Sequence, residues 1–162
     1  MNNNLPQNNY SNRNFTANSP SRYEARAVID ITKLNKQNFV VNAEKVIKHH
    51  QSTHIDFRKK YKGISSNQLR NLLDLLNNLR ERLRTERVSE LTSNMISQVQ
   101  YIKLRFIYAA GRDNDGKGVR DFIIESDLIN CIDSIGRSVE QFQLICNYLE
   151  ALVAYHKYYI KG

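Results

Sequence analysis

Tryptophan is absent from this chain, and cysteine, proline and methionine occur only twice each. The two thiols, Cys131 and Cys146, have no motif around them. They supply neither a disulfide framework nor a cysteine metal site, and we read them as buried apolar side chains in a reducing compartment. No apolar run approaches the roughly 18 residues a membrane span needs, and the start of the chain has no apolar signal core. A cytoplasmic protein with no membrane partner is therefore expected. Glycine is scarce too, at six residues, and none of them forms a phosphate-cradling loop. Paired inward carboxylates and a Ser/His/Asp set are also missing, which points away from an enzyme and calls for no cofactor.

Both prolines, Pro6 and Pro20, fall within the first twenty residues, and eight of those twenty are asparagine. Such a segment has too little apolar surface to offset its ordering entropy. We expect residues 1–36 to be a low-complexity, disordered tail and 37–162 to form one helical domain. Val28, Ile29 and Ile31 could add a short extended piece that packs on the domain.

What the chain has in excess is positive charge. Lysine and arginine number 24 against 16 acidic residues, a net charge of +8 with a pI of about 9.6. Polyanions are the partners such a balance suits.

The pattern that organises the rest is residues 98–112. A helical periodicity enters it from about Ser89 and is expected to stop at Gly111, read as a C-terminal cap. At about 100° per residue, Leu91, Met95, Val99, Ile102, Phe106, Ala109 and Ala110 share one arc, a core seam. Opposite lie Asn94, Gln98, Tyr101, Arg105, Tyr108 and Arg112, which interleave two arginines with two tyrosines. That outer face is the candidate functional surface. Lys103 points towards the apolar side of this helix, as Arg80 does in the leucine helix before it. An unpaired buried charge is costly, so each must reach out along its stem or meet an anion.

Upstream, Phe39, Val40, Ala43, Val46 and Ile47 follow helical spacing from about Gln37. His50 and His54, four apart, would share one side of a helix, as zinc ligands do. No further ligand at suitable spacing accompanies them, and Arg58, Lys59, Lys60 and Lys62 would oppose a cation. We therefore read His49, His50 and His54 as a solvated or phosphate-facing cluster, leading into a basic connector. Ser65 or Ser66 caps the next helix, whose Leu69, Leu72, Leu73, Leu76, Leu79 and Leu83 are core. Arg70, in its first turn, is either a solvated charge or a phosphate contact beside the free N–H groups.

Downstream, Asp113, Asn114, Asp115 and Gly116 fail the spacing of a calcium loop. A polar turn carrying Lys117 and Arg120 should open a short helix there. A second short helix runs towards Gly136, and a last one starts near Ser138. His156 lies within the seam of that last helix and is read as a core histidine. Tyr148, Tyr155 and Tyr159 flank the same seam and are expected at its edge.

Three segments carry a family likeness: Tyr-Ile-Lys-Leu-Arg-Phe-Ile-Tyr-Ala-Ala-Gly-Arg at 101–112, Ser-Ser-Asn-Gln-Leu-Arg-Asn-Leu-Leu at 65–73, and Tyr-Leu-Glu-Ala-Leu-Val-Ala-Tyr-His-Lys-Tyr-Tyr at 148–159. Together, and over about residues 37–162, the chain resembles the small subunit of the type III-A CRISPR–Cas (Csm) effector complex. The resemblance implies an all-α bundle of about five helices, repeated along the guide RNA. It would hold crRNA and target RNA without cutting them, beside the backbone subunits, the large signature subunit and copies of itself. By the same resemblance the RNA contacts fall on Arg70, Lys103, Arg105 and Arg112, with Lys59, Lys60, Lys117 and Arg120 around them. Tyr101 and Tyr108 join these from the outer face of the central helix. Two alternatives stand beside this reading: a helical protein–protein adaptor without RNA contact, and a ribonuclease using His49, His50 or His156.

Overall fold

A computed structural model describes residues 23–112 and 118–160. The Asn-rich start and residues 113–117, with Lys117 and the acidic turn among them, lie outside the described residues. Among those described, the chain forms α1 (Phe39–Thr53), α2 (Ser66–Glu86), α3 (Ser93–Arg112), α4 (Gly118–Glu125), α5 (Leu128–Asp133) and α6 (Val139–Tyr159), with a 3-10 turn at Ile31–Lys33 and no strand. The architecture is the all-α bundle expected, with six helices where about five were counted.

Local chemistry sets the helix starts. At α2 the Ser65 hydroxyl accepts from the Gln68 N–H at 3.2 Å while the Gln68 side chain accepts from the Ser65 N–H at 2.9 Å, a reciprocal cap. Ser138 caps α6 by accepting from the Gln141 N–H at 3.0 Å. Upstream of α3, the Thr92 hydroxyl accepts from Met95 N–H at 3.3 Å, so the helix begins at Ser93 and Ser89 lies outside it. The expected stop at Gly111 is not made there. Gly111 has no positive φ and α3 runs through it to Arg112.

Helix α6 is the axis of the bundle, packed against α1 and α2, while α3 packs on α4, α5 and α2. Ala43, Val46 and Ile47 of α1 meet Phe142, Ile145, Leu149 and Leu152 of α6 in one continuous core that also takes the buried leucines of α2. Burying each Leu or Ile contributes about 1.5–3 kcal/mol. The α3 seam joins the same core through Met95, Val99, Ile102 and Phe106.

Three details depart from the periodicity. Tyr148 is fully buried, its hydroxyl donating to the Ser126 carbonyl at 3.1 Å, because it turns towards the α4–α5 junction with Ile145 and Leu152. Val40, in the first turn of α1, is exposed. The packed chain also begins before Gln37. Ile29 and Leu34 are buried, Asp30 caps the 3-10 turn, and the Val28 N–H donates to the Glu125 carbonyl at 2.8 Å.

Candidate nucleic-acid interface

Steps of three, four and seven along α3 bring Tyr101, Arg105, Tyr108 and Arg112 to one outer stripe, and all four are exposed. Leu104 and Ile107 lie beside the stripe and are 57% and 49% exposed. The outer face of α3 thus combines two arginines with two tyrosines and two exposed aliphatic side chains. Neither Arg105 nor Arg112 makes an ion pair among the described residues.

The connector between α1 and α2 is a built hairpin. Ile55 and Tyr61 bridge antiparallel, and the Lys62 N–H donates to the His54 carbonyl at 2.7 Å. At the tip the Asp56 carboxylate accepts from the N–H groups of Arg58 and Lys60, both at 2.9 Å. Lys59 sits in the left-handed region, φ 59°, to close the turn. Lys59, Lys60, Lys62 and Arg58 all face solvent there without an ion pair among the described residues.

Two glycines bring this hairpin to the other basic residues. A Cβ on Gly118 would lie 2.7 Å from the Gly63 carbonyl carbon and 2.9 Å from Ile64 N, so the start of α4 rests directly on the return arm of the hairpin. Helix α2 leaves from that arm at Ser66. Arg120 in the first turn of α4 and Arg70 near the start of α2 therefore stand at the same end of the bundle, both exposed and without ion pairs among the described residues.

Beneath this end lies a buried polar cluster. Here the reading of the histidines as a solvated or phosphate-facing cluster is corrected: His50 and His54 are buried, and only His49 is half exposed. Helix α1 turns the two rings inward against α4, where Glu125 lies 2.5 Å from His50 Nδ1 and Asp121 3.2 Å from His54 Nε2. Tyr23 donates its hydroxyl to the other Glu125 oxygen at 2.5 Å and meets His49 Nε2 at 3.0 Å. The Ile64 peptide is held from both sides. Its N–H donates to His50 Nε2 at 3.1 Å, and its carbonyl accepts from His156 Nε2 at 2.8 Å and from the Tyr61 hydroxyl at 3.0 Å.

That N–H decides the chemistry of His50. A backbone N–H only donates, so Nε2 carries the lone pair and Nδ1 the proton aimed at Glu125. Burial pushes the His50 and His156 rings below the usual histidine range. Burial alone would raise Glu125, but hydrogen bonds from His50 and Tyr23 outweigh it and hold the carboxyl below its ordinary value. His50, His54 and Glu125 bring ligand-type atoms within 4.8 Å of one another, the one such trio among the described residues. Both His50 nitrogens are nonetheless committed, one to Glu125 and one to Ile64, which leaves no lone pair for an ion. The cluster is a scaffold that fixes the Gly63–Ser65 turn.

Lys103 stands apart from the other predicted contacts. Its ammonium meets both oxygens of Asp133 at 2.7 Å, and Arg80 likewise reaches Glu150 at 2.6 Å and Asn147 at 3.0 Å. Both basic residues on the apolar flanks thus meet protein partners. Phe57, which the hairpin holds at its tip, carries no periodic signal in the sequence. Glu125 and Asp121 are signalled only by two acids a helical turn apart in a short helix whose other residues, Arg120 apart, are uncharged.

The class that follows is a small, basic, all-α protein whose buried histidines are spent on structure and whose exposed cations, without ion pairs among the described residues, gather on outer helices and a hairpin. A family model described as Csm2 Type III-A matches residues 35–162. A Streptococcus thermophilus protein named CRISPR system Cms protein Csm2 is 33% identical over 129 residues, 78% of this chain and 94% of that protein. An Enterococcus italicus protein of the same name is 31% identical over 104 residues, 63% of this chain and 72% of its own length. The chain belongs to the Csm2 family of type III-A systems, and is a small subunit of a type III-A CRISPR complex.

Proposed function

We propose that the protein is a non-catalytic structural subunit that holds crRNA and target RNA by their backbones, without sequence preference, in the cytoplasm. Around it would stand the backbone subunits, the large signature subunit and copies of itself. The observation that supports this is the gathering of exposed cations, without ion pairs among the described residues, on helical and hairpin supports: Arg105 and Arg112 on α3, and Arg70, Arg120, Lys59 and Lys60 at the hairpin end. Base pairing reads the sequence in a guide complex, so its protein needs only backbone geometry and charge. Lys103 is a weaker member of the set, since Asp133 already neutralises it.

A second reading, a protein–protein adaptor, draws on Leu104 and Ile107, whose exposure beside Tyr101 and Tyr108 suits a neighbouring subunit. One titration separates the two. Arg105→Ala/Arg112→Ala should weaken binding about equally for unrelated RNA sequences and flatten the salt slope of log affinity by roughly 0.7 per lost contact on single strands. The RNA should be recovered uncut from the same mixtures. A folded double variant that binds with unchanged affinity and slope would leave the adaptor as the function of this face.

A further inference from the structure

We propose that Phe57 is a stacking platform for an unpaired base of the bound RNA strand, with Arg58, Lys59, Lys60 and Lys62 holding the phosphates on either side of it. This rests on the RNA-binding reading above and assigns it a contact of a different kind, one with a base.

Phe57 is 89% exposed, more than any other large hydrophobic side chain among the described residues. A lone exposed aromatic is ordinary on a protein surface; what distinguishes this one is its mounting. The Asp56 carboxylate takes the N–H groups of Arg58 and Lys60, and the Asp56 N–H and carbonyl pair with Lys60 and Lys59 at 2.9 Å each. The tip backbone is therefore closed on itself by four hydrogen bonds, which hold the Phe57 Cα at the end of the hairpin, away from the bundle. The return arm is anchored in turn by the Ile64 peptide, gripped between His50 and His156.

The surroundings of the ring select the ligand. Four cations occur within residues 58–62, and the one acid within residues 55–63, Asp56, already spends its charge on backbone N–H groups. The Arg58 guanidinium lies 5.1 Å from the ring centroid and covers one face, leaving the other for a planar partner. A flat apolar face ringed by positive charge suits a base with its flanking phosphates, and every base has a π-face, so such a contact needs no particular sequence. It does need a base out of its pair, because in a duplex the faces are already stacked. An anionic membrane would also answer the charge, but the tip, residues 56–60, offers a single apolar side chain to insert.

The test uses the full-length chain with Phe57→Ala, Phe57→Leu and Phe57→Trp, and a single-stranded RNA carrying 2-aminopurine, measured beside a blunt RNA duplex. Because the side chain is solvent-exposed, circular dichroism and melting should match the native protein. Phe57→Ala and Phe57→Leu should bind single strands about five- to 150-fold more weakly, the range that one base–aromatic stack commands. Their salt slope should be unchanged, duplex affinity should be nearly unaltered, and 2-aminopurine quenching should be lost. Phe57→Trp should retain both affinity and quenching. Native-like single-strand affinity in Phe57→Ala, alongside a native protein whose binding falls steeply with salt, overturns the platform and leaves the backbone reading standing. No RNA binding by the native chain overturns both. Binding to anionic vesicles that Phe57→Ala abolishes, with RNA affinity unaffected, assigns the ring to lipid and overturns the proposal.

Discussion

The hairpin end of the bundle is held by a buried grip on Ile64, and His50→Leu tests it. The imidazole accepts the Ile64 N–H and donates to Glu125, which is fully buried. Leucine can do neither. An orphaned buried N–H costs about 1–3 kcal/mol, and a lost hydrogen bond to a buried carboxylate about 1.5–3 kcal/mol. The sum, roughly 2.5–6 kcal/mol, is a large share of a typical domain stability of about 5–15 kcal/mol. Acid should do the same thing reversibly, since a proton on His50 Nε2 would face the Ile64 N–H donor. Burial depresses the folded-state pKa of both His50 and His156, so the unfolded chain binds more protons as pH falls below about 6.5. Their contribution is fully present above that pH. It fades below it by up to about 1.4 kcal/mol per pH unit for each ring, until the folded-state pKa is passed. Glu125, also depressed, adds a further loss only below about 4.5. Urea unfolding at pH 7.5 and 5.5 reads both effects. A cost below about 1 kcal/mol for His50→Leu, or a native protein equally stable at the two pH values, would refute this role for His50.

Two further outcomes follow from close geometry. Gly118→Ala would drive a Cβ to 2.7 Å from backbone atoms of Gly63, which cannot swing aside as a side chain can, so a loss of about 1–3 kcal/mol is expected from melting curves. Lys103→Ala should change RNA affinity and salt slope little, because Asp133 already holds the ammonium; the partly exposed pair is worth at most about 1 kcal/mol to the fold.

Much of this molecule is local and therefore legible. The leucines of α2, the seam of α3 and the serine caps of α2 and α6 are statements about residues three and four apart. The outer stripe of α3 is legible for the same reason, since one helix fixes which side chains share a face. Lys103 was legible as a problem and not as an answer: its position demanded an anion, and only the fold could bring Asp133, thirty residues on.

The histidines show where local reasoning stops. Their spacing placed His50 and His54 on one side of a helix, and neighbouring lysines suggested that the side was wet. The bundle turned it inward. Its deciding partners are far along the chain: Glu125 is 75 residues from His50 and Tyr23 is 102 residues from Glu125. Phe57 was overlooked for the opposite reason. A phenylalanine in a charged connector carries no periodicity, so only the hairpin closed by Asp56 shows that it points away from the core. The leucine and α3 seams and the serine caps belong to the sequence because backbone hydrogen bonding and side-chain direction act over a single turn, whereas the Gly111 stop expected on the same grounds was overrun by α3. Which polar groups are buried together, and which cations remain unpaired, was decided by the tertiary structure, because burial and pairing depend on what other elements bring near.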